Sequence, residues 1–155
     1  MTEPNTVTTE APDKAERYLS STFAVSPAKL EGQGRSLNLL LLHRRCASCW
    51  GSLMQEAAGG LEIPWEDHLE KIAGHCSKSK EYITSGLPIM EAVFRVILSA
   101  GNEAVSLEQI IETLQERWSD SANHWVPPPP KLYRMVSRDV FYGIGEVTPP
   151  AAPQA

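Results

Sequence analysis

Long apolar runs are missing from this chain. The longest, Leu39-Leu40-Leu41-Leu42 with Leu37 before it, falls far short of the roughly 20 residues that span a bilayer, so no membrane insertion is expected. The N-terminus, Met-Thr-Glu-Pro-Asn-Thr, has neither a basic start nor an apolar stretch, so no secretory signal is expected. The expected setting is the cytoplasm, where thiols stay reduced. Catalytic motifs are missing too: there is no nucleophile elbow, glycine-rich phosphate loop, His-Glu-x-x-His helix or pair of catalytic carboxylates, and a non-enzymatic protein is expected. Glu66-Asp67-His68 is a charged cluster at a predicted helix start, where acids favour the dipole anyway. Trp50, Trp65, Trp118 and Trp125 are expected as core and boundary aromatics. An excess of positive charge is also absent. The 14 Lys and Arg face 19 Asp and Glu, a formal charge of -5, which argues against indiscriminate coating of nucleic acid.

Cysteine is scarce, and its placement is informative. The three residues are Cys46, Cys49 and Cys76, with His68 and His75 just ahead of the last. A Cys-x-x-Cys pair followed by a His and Cys group is a spacing that gathers four soft ligands around one zinc ion. The proposed set is Cys46, Cys49, His68 and Cys76, with His75 competing for the His68 position and His43 a weaker candidate. Four protein ligands leave no open position for water, so this zinc would be structural. Buried core cysteines are the competing explanation. A thioredoxin-like reading of Cys46-Ala-Ser-Cys49 lacks its strand-helix-strand surroundings.

What the chain does contain is apolar residue, at 42%, in an amount ordinary for a folded protein. Residues 1–11 and the tail 148–155 are expected to be disordered. The stretch 13–23 has Ala15, Tyr18, Leu19 and Phe23 on one side of a short helix. Residues 26–34 read as loop, and 37–50 as either a strand or a helix carrying both cysteines. Pro64 suits the first position of a helix that stops at Gly74. In an unbroken helix His68 and Cys76 would stand about 12 Å apart along the axis, so unwinding at Gly74 is needed to fold Cys76 back. Residues 87–100 form a helix buried on most sides. Ser106 caps another, with Gln109 completing a capping box, Leu107, Ile110, Ile111 and Leu114 buried, and Glu108, Glu112 and Glu116 outside. Pro127 to Pro130 form a stiff arm. A further helix over 131–141 places Leu132, Met135, Val136 and Val140 on one side and Lys131, Arg134 and Arg138 on the other. A short strand follows within 142–147.

Charge follows the same division. From 103 to 120, Glu103, Glu108, Glu112, Glu116 and Asp120 face only Arg117, whereas from 29 to 45 Lys29, Arg35, Arg44 and Arg45 face only Glu31. Three helices, the second acidic and the third with a basic outer face, closed by Tyr142-Gly143-Ile144, resemble a winged helix-turn-helix domain over residues 87–147. The connection over 119–130 is longer than the tight turn usual in that family. The expected architecture is mainly α: a zinc-stabilised metal-binding region over 12–82, then a winged-helix-like domain over 83–147 with a short β wing. The resemblance implies a transcription regulator whose third helix sets Lys131, Arg134 and Arg138 against DNA or RNA while the wing touches the backbone. Arg44 and Arg45 would add phosphate contacts. The alternative is a protein–protein adaptor whose acidic helix and Pro-rich arm dock on a protein partner.

Overall fold

The structure, a computed structural model, describes residues 16–55, 62–121 and 125–147. The expectations for 1–11, for 148–155 and for the Gly59-Gly60 break lie outside the described residues. The chain is mainly helical, with one small three-stranded sheet.

Residues 16–20 are helical, but Thr22–Val25 is a strand, β1, where a continued helix was expected. Period decides the outcome: Phe23 and Val25 face the core and Thr22 and Ala24 do not, an alternation of two that places both large side chains on one face. Ser26 then caps α1 (Pro27–Gly32) by accepting from the Lys29 N–H, and Pro27 supplies the preset φ of a first helical position, so the expected loop is a short helix. The ambiguous stretch 37–50 is two helices. In α2 (Leu37–Leu42), capped by Ser36, Leu37, Leu41 and Leu42 are buried; α3 (Ala47–Leu53) follows after a turn.

Helix α4 (Trp65–Gly74) carries Glu66 and Asp67 in its first turn and stops where Gly74 predicts, giving way to a 3-10 turn, Cys76–Lys78. Helix α5 (Ile89–Ser99) is the centre of the core: Ala92, Val93, Phe94, Val96, Ile97 and Leu98 are buried. Strand β2 (Val105–Ser106) leads into α6 (Leu107–Arg117), whose Ser106–Gln109 capping box forms in full. Helix α7 begins earlier than expected and ends earlier, spanning Pro129–Ser137; two residues of the Pro arm form its first turn, where a missing N–H costs nothing. Strand β3 (Ile144–Glu146) closes the chain.

The sheet order is β2-β1-β3, antiparallel throughout, with Phe23 opposite both Val105 and Glu146. The strand after α7 is therefore single and finds its partner in β1, from the other end of the chain. The Asn102 side chain extends the pairing, its Oδ1 accepting from Val25 N at 2.7 Å and its Nδ2 donating to Val25 O at 2.9 Å. One continuous buried cluster runs from Phe23 and Leu30 through Cys76 and α5 to Leu132 and Ile144. Among the described residues no helix is long and apolar enough to cross a membrane.

Candidate metal centre

Cys46 is the N-cap of α3, with extended backbone, which places Cys49 in the first turn of that helix on the same side. The break after Gly74 turns Cys76 toward them. All three sulfurs lie within 4.8 Å of one another, and those of Cys49 and Cys76 are 3.6 Å apart. That exceeds a disulfide bond of about 2.05 Å, and the thiols are free. Two sulfurs on one tetrahedral zinc, each about 2.3 Å from it, stand about 3.8 Å apart, so the spacing fits three corners of a metal site. The Cys46 N–H donates to Cys76 Sγ at 3.2 Å, a contact that favours a thiolate there.

The three groups are electrostatically unequal. Burial works against ionisation of Cys46, but the Ser48 hydroxyl and the Cys49 N–H outweigh it and bring the thiol down to about 6. Burial of Cys76, reinforced by its two sulfur neighbours against the Cys46 N–H, pushes it up to about 12. Three thiolates cannot coexist this close without a cation, and a divalent ion is the species that removes the conflict.

His68 is not in the sulfur group. It is fully buried, and its Nδ1 lies 2.6 Å from Arg45 Nη1. A guanidinium only donates, so Nδ1 accepts; a neutral ring then carries its proton on Nε2 and has no lone pair left for an ion. Gly74 thus supplies the bend that the spacing requires, but it turns Cys76 to the Cys-x-x-Cys pair and leaves His68 behind. His75 is closer to the cluster: its Nε2 is 3.3 Å from Ser48 Oγ, which is 3.3 Å from Cys46 Sγ. Its exposed ring borders a cleft of about 620 Å³ and has room to turn. His43 caps the end of α2 and faces the Trp50 ring, 6.1 Å away.

The frame around the cluster is ionic, and most of it was not anticipated. Glu91, in the middle of apolar α5, is 9% exposed and holds Arg44 by two bonds, from Nε at 2.9 Å and Nη2 at 2.7 Å. Arg95, one turn on, donates at 2.8 Å, and the Tyr142 hydroxyl donates at 2.9 Å. Burial alone would raise this carboxyl; the bonds from Arg44, then Arg95, overcome it and hold it at about 2. Arg44 also lies over the rings of Phe94 and Tyr142. Neither Arg44 nor Arg45 therefore faces outward as a free phosphate ligand. Arg117, the base within acidic α6, donates to the carbonyls of Ser77 and Ser79 and fixes the turn that carries Cys76.

The outer side of α7 is different. Lys131, Arg134 and Arg138 are all exposed and none forms an ion pair among the described residues. Leu132 and Val136 are buried as expected, but Val140 is 74% exposed. The reason is Asp139: its carboxylate accepts from the N–H groups of Phe141, Tyr142 and Ile144, ending the helix and turning the chain outward. Lys29 Nζ locks the same turn from below, donating to Asp139 O at 3.0 Å and Ile144 O at 2.6 Å. Gly143, at φ +76°, completes it where an added Cβ would stand 2.5 Å from the buried Leu30 side chain. Trp125, expected at the core or its boundary, is 62% exposed, with Lys131 Nζ 5.5 Å from its ring centre.

No protein-family model matches the chain, and neither does any curated protein or solved structure.

Proposed function

We propose that this chain is a small, non-enzymatic regulatory protein in which a structural zinc ion clips the cysteine region together and the outer face of α7 contacts nucleic acid. Cys46, Cys49 and Cys76 hold the ion, and His75 takes the fourth corner by turning past Ser48. Zinc rather than a harder ion follows from the donor set, since thiolate sulfur selects soft or borderline metals. With four protein ligands the ion is closed to substrate and serves stability.

The observation that carries the nucleic-acid reading is the unpaired stripe of α7. The protein carries five more acidic than basic residues. Four of its cations near the core are nevertheless engaged: Arg44 and Arg95 by Glu91, Lys29 and Arg117 by carbonyls. Lys131, Arg134 and Arg138 stand apart from this economy, three and four residues from one another on one helix face. Such a set fits the phosphates of a polyanion, as in the winged-helix resemblance. The alternative, an adaptor using the exposed Glu108, Glu112 and Glu116 of α6, predicts no affinity for polyanions.

Retention of the zinc-loaded chain on heparin and on duplex DNA at low salt tests this reading. Binding that weakens steeply with salt and is lost when the three α7 cations are changed to alanine supports it. Free passage through both columns at low salt rejects it in favour of the adaptor. Elemental analysis of the same preparation tests the zinc, one ion per chain being expected.

A further inference from the structure

The basic stripe of α7 is bracketed by two exposed aromatic side chains, and each has a cation beside its face. At the start of the helix Trp125 pairs with Lys131, 5.5 Å from the ring centre. Beyond its end Phe141, 39% exposed, has the Arg35 guanidinium 3.8 Å over its ring. Arg134 and Arg138 lie between the two aromatics in sequence and are both exposed. We infer that this face binds single-stranded nucleic acid, with unpaired bases stacking on Trp125 and on the Phe141–Arg35 pair while the α7 cations meet the phosphates between them.

This rests on the nucleic-acid reading above and narrows it. Phosphate contact alone requires only cations; a large exposed indole costs solubility and contributes nothing to holding a duplex by its backbone. Bases within a duplex are already stacked on one another, whereas an unpaired base offers its face to an aromatic ring or a guanidinium plane. The helix rises about 13 Å over its nine residues, a length suited to a few nucleotides laid along it. The Phe141 platform is also prebuilt. Asp139 accepts three backbone N–H groups around it, Lys29 ties both of its flanks, and Tyr142 meets the Phe141 ring edge-on at 4.7 Å, so binding pays little ordering entropy there.

The test is fluorescence anisotropy of the full zinc-loaded chain with labelled 12-nucleotide thymidine and uridine single strands and a 12-base-pair duplex, across a salt series. The expected result is tighter binding of the single strands than of the duplex. Three phosphate contacts give a log–log salt slope of about -2. Trp125→Ala and Phe141→Ala should each weaken single-strand binding about tenfold and leave duplex binding unchanged. Both side chains are exposed, and thermal melting verifies that the variants remain folded. Equal or tighter duplex binding, or aromatic variants that bind single strands as well as the parent, would overturn the stacking inference while leaving nucleic-acid contact intact. Absence of binding to every oligonucleotide would remove both readings. Equal competition by polyglutamate would also overturn the inference, because it would reduce the face to a general polyanion site.

Discussion

Arg44 and Arg45, in the turn before α3, and Arg134 and Arg138, the first on α7 and the second at its C-cap, are the same side chain in opposed circumstances. The first pair is drawn inward, onto Glu91 and onto His68. Beside it Glu91 is answered by Arg44, Arg95 and Tyr142, whereas Arg45 Nε is buried without a hydrogen-bond partner among the described residues, and the three thiols stand close enough together to hold a metal ion. The second pair points into water with no carboxylate in reach among the described residues. The difference separates charge that holds the structure from charge left exposed to solvent, and it appears only when each cation is followed to its acceptor. Counting charges by segment, as the sequence permits, makes residues 29–45 the more basic region, although of the two regions it is α7 whose cations are left exposed and without an ion pair among the described residues.

The sharpest break in this contrast comes from the metal. Chelation, or Cys76→Ser, is expected to lower the melting temperature by on the order of 10 °C and to abolish stoichiometric zinc, because a fold built around the ion loses its binding free energy as stability. Calorimetry with and without chelator measures this. A protein that melts identically in both conditions would show the three cysteines to be ordinary core residues.

Next in size is the Glu91 centre. Arg44→Ala leaves a buried carboxylate short of its bidentate partner and is expected to cost about 3 kcal/mol in urea denaturation. A loss within the range of ordinary surface substitutions would place Arg44 with the cations of α7. The same carboxylate gives an acid signature. Its pKa falls from 4.5 to about 2 on folding, so the stability it contributes is complete above about 4.5 and is lost as pH falls toward 2. The gap corresponds to on the order of 3 kcal/mol. Parent and Glu91→Gln should therefore converge in stability between pH 5 and pH 2, and parallel curves would contradict the assigned partners. Gly143→Ala, which forces a Cβ into Leu30 at positive φ, is expected to cost about 2 kcal/mol and to release the turn that presents Val140 and Phe141.

How far the sequence carried depends on the range of each interaction. The Ser106–Gln109 box and the stop at Gly74 are local and form where their residues indicate, and the stripe of α6 is buried at Leu107, Ile110 and Leu114 with Ile111 only partly covered. Cys46, Cys49 and Cys76 also meet as their spacing suggests, because Cys-x-x-Cys is a local geometry and only one bend was needed. His68 was misplaced because its partner, Arg45, is chosen by tertiary packing. Strand β1 was missed for the same reason: Ala15, Tyr18, Leu19 and Phe23 satisfy a helical period, and the two strands that pair with Thr22–Val25 come much later in the chain. Val140 followed the helical period correctly, but Asp139 ends the helix first. Glu91 did leave a signal. A lone acid within an apolar helix, with Arg95 four residues on, marks a buried charge that must be paired.

The smallest expected effect is the one that defines the second region. Changing Lys131, Arg134 and Arg138 together to alanine is expected to alter stability by no more than about 0.5 kcal/mol. Losses arise from the exposed Lys131–Trp125 contact, about 0.5 kcal/mol, and from favourable charge near the helix C-terminus, another few tenths at an exposed site. Gains offset them: Lys131 and Arg134 are three apart and Arg134 and Arg138 four apart, and like charges at those spacings repel by about 0.2–0.5 kcal/mol per pair. Alanine also has the higher helix propensity. Urea midpoints of parent and triple variant should therefore coincide closely while retention on nucleic acid disappears from the variant alone. A loss of several kcal/mol would mean that these cations, like Arg44, are occupied within the fold, and the distinction between the two regions would collapse.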